Sequence, residues 1–145
     1  MSAVASLQSY TARIPAVSYA HWLIRLPVAA YIINQGYIKF PLLADDAVSF
    51  GVPYFMWVLA AVGEVAAGVG LIVGGFMMNR WGDLLTRASA GVMALIVASV
   101  IVVVYYAPIF DIFMFNQFQV LLLVGALFFL LRGNELRRDG GLVTH

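Results

Sequence analysis

The chain contains no cysteine, and this absence excludes several kinds of chemistry at once. Disulfides, thiolate metal ligands, cysteine nucleophiles and a dithiol redox cycle all need that side chain. Charge is also scarce: Asp, Glu, Lys and Arg make up 10% of the 145 residues, whereas soluble domains carry roughly 25%. The net charge of +1 supplies no basic field for nucleic acid. The composition therefore predicts neither a thiol enzyme nor a nucleic-acid-binding protein.

Long apolar blocks take the place of the missing charge. Hydrophobic residues make up 63% of the chain, and four blocks are each long enough for the roughly 20 apolar residues that a membrane-spanning helix needs. We expect spans near residues 21–38, 52–78, 84–106 and 115–132. The connections are short, which predicts antiparallel neighbours. The expected fold class is all-α, an integral membrane antiparallel four-helix bundle, with residues 1–145 forming one membrane domain.

Basic residues are distributed unequally between the two sides of these spans. Six arginines fall on one side, and Lys39 alone falls on the other. The six are Arg13, Arg80, Arg87, Arg132, Arg137 and Arg138. Because cytoplasmic segments carry the excess of Lys and Arg, this imbalance predicts a multi-pass membrane protein whose N- and C-terminal tails are both short and cytoplasmic.

Two charged residues, Arg25 and Glu64, lie one helical turn or more inside the predicted spans. Glu64 is near the middle of the second span, where a charged side chain costs at least about 2.5–3.5 kcal/mol on insertion scales. It is either a relay or ligand-contacting group, or a neutral acid that hydrogen-bonds a neighbouring helix. Arg25 lies about one turn inside the first span. It either extends to the interface, which is the favoured interpretation, or reaches inward to an acid or, through water or a ligand, to Glu64.

Polar residues collect at the predicted outer ends of the first and fourth spans. They are Asn34, Gln35 and Lys39 in the first group, and Asn116 and Gln117 in the second. Both groups are expected on the same membrane face. They form either an ordinary interfacial collar, which we favour, or the mouth of an outward pocket above Glu64.

Small residues recur along one face of the second span. They are Gly63, Ala67, Gly70 and Gly74. Such residues let helix backbones approach closely. The pattern predicts tight helix packing, with a groove for a flat apolar ligand as the alternative.

Catalytic and metal-binding patterns are missing from the sequence. His21 and His145 are the two histidines, and their positions cannot form the stacked pair that a b-type haem needs across a bundle. Haem and metal are therefore not expected. No nucleophile grouping or phosphate loop is present, which predicts a protein that is not catalytic on its own.

Three stretches of the chain resemble the DoxX-like family of small bacterial membrane proteins. The first is Arg25 followed by the outer sequence Gly36-Tyr37-Ile38-Lys39. The second is the glycine-rich run from Gly63-Glu64 to Gly74, leading to Arg80. The third is the polar opening of the fourth span, which runs from Asn116 to a Leu-Leu-Arg-Gly ending at Gly133. After Gly133 the chain departs from the family pattern, because Asn134 stands where the family has a second glycine.

The resemblance implies an accessory component of a membrane redox system, with Arg25, Lys39 and Glu64 as the positions that carry over. A quinone-like ligand is expected because an apolar membrane pocket with one or two polar anchors suits such a molecule. Two alternatives remain: a small proton-coupled transporter that uses Glu64, and a purely structural subunit of a larger assembly. The expected partners are the lipid bilayer and either other membrane subunits or further copies of this chain.

Overall fold

The computed structural model describes residues 19–77, 79–104 and 108–134, and 82% of these residues are helical. Within those ranges there are six helices and no strand. The helices are α1 (Trp22–Tyr37), α2 (Ala44–Ser49), α3 (Tyr54–Phe76), α4 (Arg80–Val103), α5 (Ile109–Phe115) and α6 (Gln117–Arg132). The all-α prediction is confirmed.

Helices α3 and α4 are the long apolar elements. They contain 23 and 24 residues, and the most apolar 18-residue segment of each has a mean hydropathy of 2.0. Both helices are long and apolar enough to cross a membrane. Only 33% of the residues in each segment are buried within the chain. Helix α6 is also apolar but has 16 residues, the same number as α1. About two thirds of the residues in these segments of α3 and α4 are therefore not fully buried within the chain.

Helix α4 begins four residues before the predicted span. The Asn79 side chain accepts a hydrogen bond of 2.9 Å from the backbone N–H of Gly82 and so caps the helix N-terminus. The prediction began at residue 84 because the preceding turn carries Arg80 and Asp83. The cap extends the helix through that charged turn, beyond the apolar segment.

The short helices α2 and α5 were not predicted. They occupy the connections after α1 and after α4, and each packs against the helix that follows it. Helix α5 begins after Pro108 and is separated from α6 by Asn116, whose φ of −120° and ψ of 40° interrupt the helical backbone. The predicted connection between the third and fourth spans covers residues 107–114, so most of α5 lies where no helix was predicted.

The four longer helices pack against one another in antiparallel pairs. Helix α3 lies between α1 and α4, α4 also packs against α6, and α6 contacts α1. Gly36 near the end of α1 meets Ala61 near the start of α3, whereas Gly75 near the end of α3 meets Arg25 near the start of α1. We call the end that holds Arg80, Arg87 and Arg132 the arginine-rich end, and the opposite end, which holds Lys39, the lysine end.

The small residues of α3 allow close contact with two neighbours. Gly63, Gly70 and Gly74 face α4, whereas Gly68 faces α1, and Ala67 is buried in the core. A Cβ atom at Gly74 would lie 2.5 Å from Thr86 Oγ1 and 2.9 Å from the Gly82 carbonyl oxygen. Neighbouring helices thus lie against the faces of α3 that carry these glycines.

Gly74→Ala is expected to lower the free energy of unfolding by about 1–3 kcal/mol, because the new methyl group would overlap both a side chain and backbone of α4. Gly91→Ala is the matched control, since a Cβ there would meet only Leu130, at an ordinary 3.6 Å. The control is expected to be neutral or stabilising by up to about 1 kcal/mol, as alanine favours helix. Unfolding in detergent would measure both, and equal stabilities would contradict the packing role of Gly74.

Candidate functional site

The lysine end holds an ion pair between α3 and the turn that follows α1. Lys39 Nζ lies 2.5 Å from Glu64 Oε2, and the two side chains are 12% and 5% exposed. The approach depends on Gly36, where a Cβ would lie 2.6 Å from the Ala61 carbonyl oxygen and 3.0 Å from Glu64 Cβ. A side chain at residue 36 would therefore push apart the backbones that bring Lys39 to Glu64.

Further contacts position the Lys39 ammonium. Its Nζ donates a hydrogen bond of 2.9 Å to the Gln35 carbonyl oxygen and lies 5.5 Å from the centre of the Trp57 ring. Trp57 in turn stacks on Phe50, with ring centres 5.1 Å apart and planes inclined by 20°. The cation is thus held between an acid, a carbonyl and an aromatic ring, an arrangement that stabilises a positive charge away from water.

This arrangement retains hydrogen-bonding capacity for a further molecule. An ammonium has three N–H donors, and Glu64 and Gln35 accept two of them. The pair carries no net charge when both groups are ionised. It can therefore offer a hydrogen bond to an uncharged acceptor without attracting a counter-ion.

A second polar cluster surrounds Arg25, which is 0% exposed. Its Nη1 donates hydrogen bonds of 2.6 Å to the Leu71 carbonyl oxygen and 3.1 Å to Thr86 Oγ1, and its Nη2 donates one of 2.7 Å to Asn134 Oδ1. The guanidinium carbon lies 4.6 Å from the centre of the Phe129 ring. The prediction that Arg25 extends to the membrane interface is therefore wrong.

Asn134 connects this cluster to the rest of the arginine-rich end. Its Nδ2 donates to the Gly74 carbonyl oxygen and its backbone N–H donates to Asp83 Oδ1, both at 2.7 Å. Asp83 also pairs with Arg87 at 3.0 Å. Gly133 has a φ of +57°, and a Cβ there would collide with Asp83. A single residue after α6 thus joins α1, α3 and α4.

The structure brings together Glu64 and Lys39 among the residues predicted for a site. Arg25 lies at the level of Leu71, about 10 Å from Glu64 along α3 at 1.5 Å per residue, so the structure holds the two residues apart. Gln35 contributes its carbonyl oxygen. Asn34 and Gln117 are exposed and Asn116 is half-buried. Within the described ranges, neither hydrogen bond assigned to Glu64 and Lys39 involves these three residues.

Three contributors were missed from the sequence: Trp57, Thr86 and Asn134. Trp57 precedes Glu64 by seven residues, which is two helical turns and therefore the same helix face. That spacing was a usable signal. Asn134 is the first residue at which the chain departs from the DoxX-like pattern. The residues next to it in the sequence do not indicate that its side chain joins the Arg25 cluster.

Comparisons with protein-family models, with curated proteins and with solved structures find no match to this chain. Among the described residues, no group of three or more His, Asp or Glu side chains is placed to hold a metal ion. Interpretation of the site therefore depends on its own geometry.

Proposed function

We propose that this chain is a multi-pass membrane protein that binds a small quinone-like molecule at the Lys39–Glu64 ion pair, as an accessory subunit of a membrane redox complex. The bundle would span a bacterial inner membrane with both termini in the cytoplasm. Its partners would be lipid and either other membrane subunits or further copies of the chain.

The membrane assignment is supported by the outward apolar surface of α3 and α4. A helix from the core of a soluble protein buries its apolar stripe and exposes a polar face. Here the most apolar windows are 33% buried, and large side chains such as Leu59 and Leu95 are exposed. Lipid is the solvent that such a surface fits. The arginine-rich end, with Arg80, Arg87 and Arg132, would face the cytoplasm.

The buried ion pair is the observation that carries the ligand assignment. Taking two charges out of water costs several kcal/mol per ion, and well-packed apolar residues often replace such pairs without loss of stability. Ionisable residues within membrane segments usually belong to a ligand, ion or proton pathway. Lys39 follows the end of α1 and meets Glu64 near the middle of α3, so a molecule dissolved in the bilayer would reach the pair without entering the α1–α3 interface.

A quinone suits this site chemically. It is uncharged, its ring oxygens accept hydrogen bonds, and its hydrocarbon tail partitions into lipid. The proton-coupled transporter is less well supported, because the α1–α3 interface beyond Glu64 is closely packed. A Cβ at Gly68 would already lie 2.9 Å from the Ala29 carbonyl oxygen. A purely structural subunit would not need the charged pair.

Lys39→Met is expected to lower the affinity for menadione, a quinone without a tail, by at least about tenfold, since a hydrogen bond from a charged donor contributes about 1.5–3 kcal/mol. Equilibrium dialysis of protein in lipid nanodiscs, corrected for uptake by empty nanodiscs, would measure the affinity. Gln117→Ala is the control, because Gln117 is exposed at the same end. Equal quinone uptake by native and empty nanodiscs would reject the proposed function.

A further inference from the structure

The indole N–H of Trp57 is a buried donor. Its Nε1 atom has almost no contact with solvent, and no acceptor for it exists among residues 19–77, 79–104 and 108–134. An unsatisfied buried donor costs about 1–3 kcal/mol. Native proteins contain few such groups, and an ordered water or a bound ligand often supplies the acceptor that the chain does not.

The contacts of Trp57 hold this donor in place. Phe50 stacks on the ring, and the Lys39 ammonium lies 5.5 Å from its centre. Indole Nε1 donates and does not accept, so whatever completes this site must present an acceptor atom to it. The third N–H of Lys39 also needs a hydrogen-bond acceptor.

The acceptor oxygens of one small molecule can satisfy both donors. Lys39 Nζ lies 5.5 Å from the centre of the ring that carries Nε1, so a compact ligand beside the ion pair can reach both groups. A carbonyl oxygen accepts such hydrogen bonds through its two lone pairs. An anion would fit less well. The Glu64 carboxylate, 2.5 Å from Lys39, already neutralises the ammonium and would repel a second negative charge.

We infer that the site binds an uncharged carbonyl compound whose oxygens accept hydrogen bonds from Trp57 Nε1 and Lys39 Nζ. The inference rests on the proposed function and deepens it. Trp57 becomes a ligand-binding residue, and the carbonyl group, rather than the ring or the tail, becomes the part of the ligand that the protein recognises.

Trp57→Phe tests the inference, because phenylalanine keeps an aromatic ring against Phe50 and Lys39 and removes the N–H. Two probes of similar shape are compared: menadione, and 2-methylnaphthalene, which has no oxygen. We expect the substitution to lower menadione affinity by about tenfold, as for one lost hydrogen bond, and to leave 2-methylnaphthalene unchanged. Trp81→Phe, at the arginine-rich end, is the control and should change neither.

A second measurement uses the native protein, so it does not depend on folding of the variant. The chain has three tryptophans, and NMR of ¹⁵N-labelled protein shows their indole N–H groups as separate signals. Menadione should shift the Trp57 signal downfield, and 2-methylnaphthalene should not. Tight menadione binding with an unshifted Trp57 signal would overturn the inference and leave quinone binding at Lys39 intact. Failure to bind menadione at all would reject both.

Discussion

Replacing Glu64 with leucine is expected to lower the free energy of unfolding by about 3–5 kcal/mol. The Lys39 ammonium would then stay buried without its carboxylate, and a buried charge that loses its partner is strongly destabilising. The loss exceeds that of an ordinary hydrogen bond because Lys39 and Glu64 are 12% and 5% exposed, so water replaces the missing acceptor poorly. Unfolding of the purified protein in mixed detergent micelles would measure the change.

The double variant separates the charge effect from lost packing. Lys39→Met alone should also destabilise, because it leaves Glu64 without its cation. Lys39→Met combined with Glu64→Leu removes both charges, and it should recover most of the lost stability, as an apolar replacement of a buried pair often does. If the two single effects simply add in the double variant, the two charges are not coupled and Lys39 does not stabilise the Glu64 carboxylate.

Asn134→Ala is expected to lower the free energy of unfolding by about 3 kcal/mol. The substitution removes the acceptor for Arg25 and Thr86 and the donor to the Gly74 carbonyl oxygen. Hydrogen bonds to charged groups contribute about 1.5–3 kcal/mol each, and buried partners left unsatisfied add to the loss. Gln117→Ala is the control and should change stability by less than about 0.5 kcal/mol, as expected of an exposed residue.

The absence of cysteine allows a second test of Asn134. Ser89→Cys introduces a unique thiol at a buried position of α4, one turn beyond Thr86. Asn134→Ala should speed its reaction with a soluble maleimide in nanodiscs, because the arginine-rich end would open more often. Asn116→Ala, at the lysine end, should not. Unchanged labelling together with unchanged stability would show that Asn134 does not close this end.

Helix content was predictable because hydrophobic block length is a local property of the chain. The four predicted spans correspond to α1, α3, α4 and α6, and their bounds differ from the observed ones by four residues at most. The start of α4 was misplaced because a side-chain cap, not hydropathy, begins that helix. The separation of α5 from α6 depends on the backbone conformation of Asn116, which apolar composition does not encode.

The candidate site was only partly predictable because it depends on which helix faces meet. Glu64 was identified from its cost in an apolar segment. The pairing of Glu64 with Lys39 was not identified, because Lys39 lies beyond the end of α1. It contacts Glu64 only because Gly36 lets α1 approach α3 closely. Arg25 was recognised as unusual, but its acceptors come from three other parts of the chain. Pairings of this kind follow from tertiary packing, which no spacing within one helix reveals.

The longer helices differ in length, so the side of the bundle formed by α1 and α6 is shorter along the helix axes than the side formed by α3 and α4. Helices α1 and α6 contact each other and have 16 residues each, about 24 Å, whereas α3 and α4 have 23 and 24, about 35 Å. In the proposed membrane, a hydrocarbon layer of about 30 Å would be thicker than the length of α1 or α6. The bilayer beside these two helices would thin to match them. Under the proposed function, a molecule that diffuses in that leaflet would then meet Lys39, just past the end of α1, where the bilayer is thinnest.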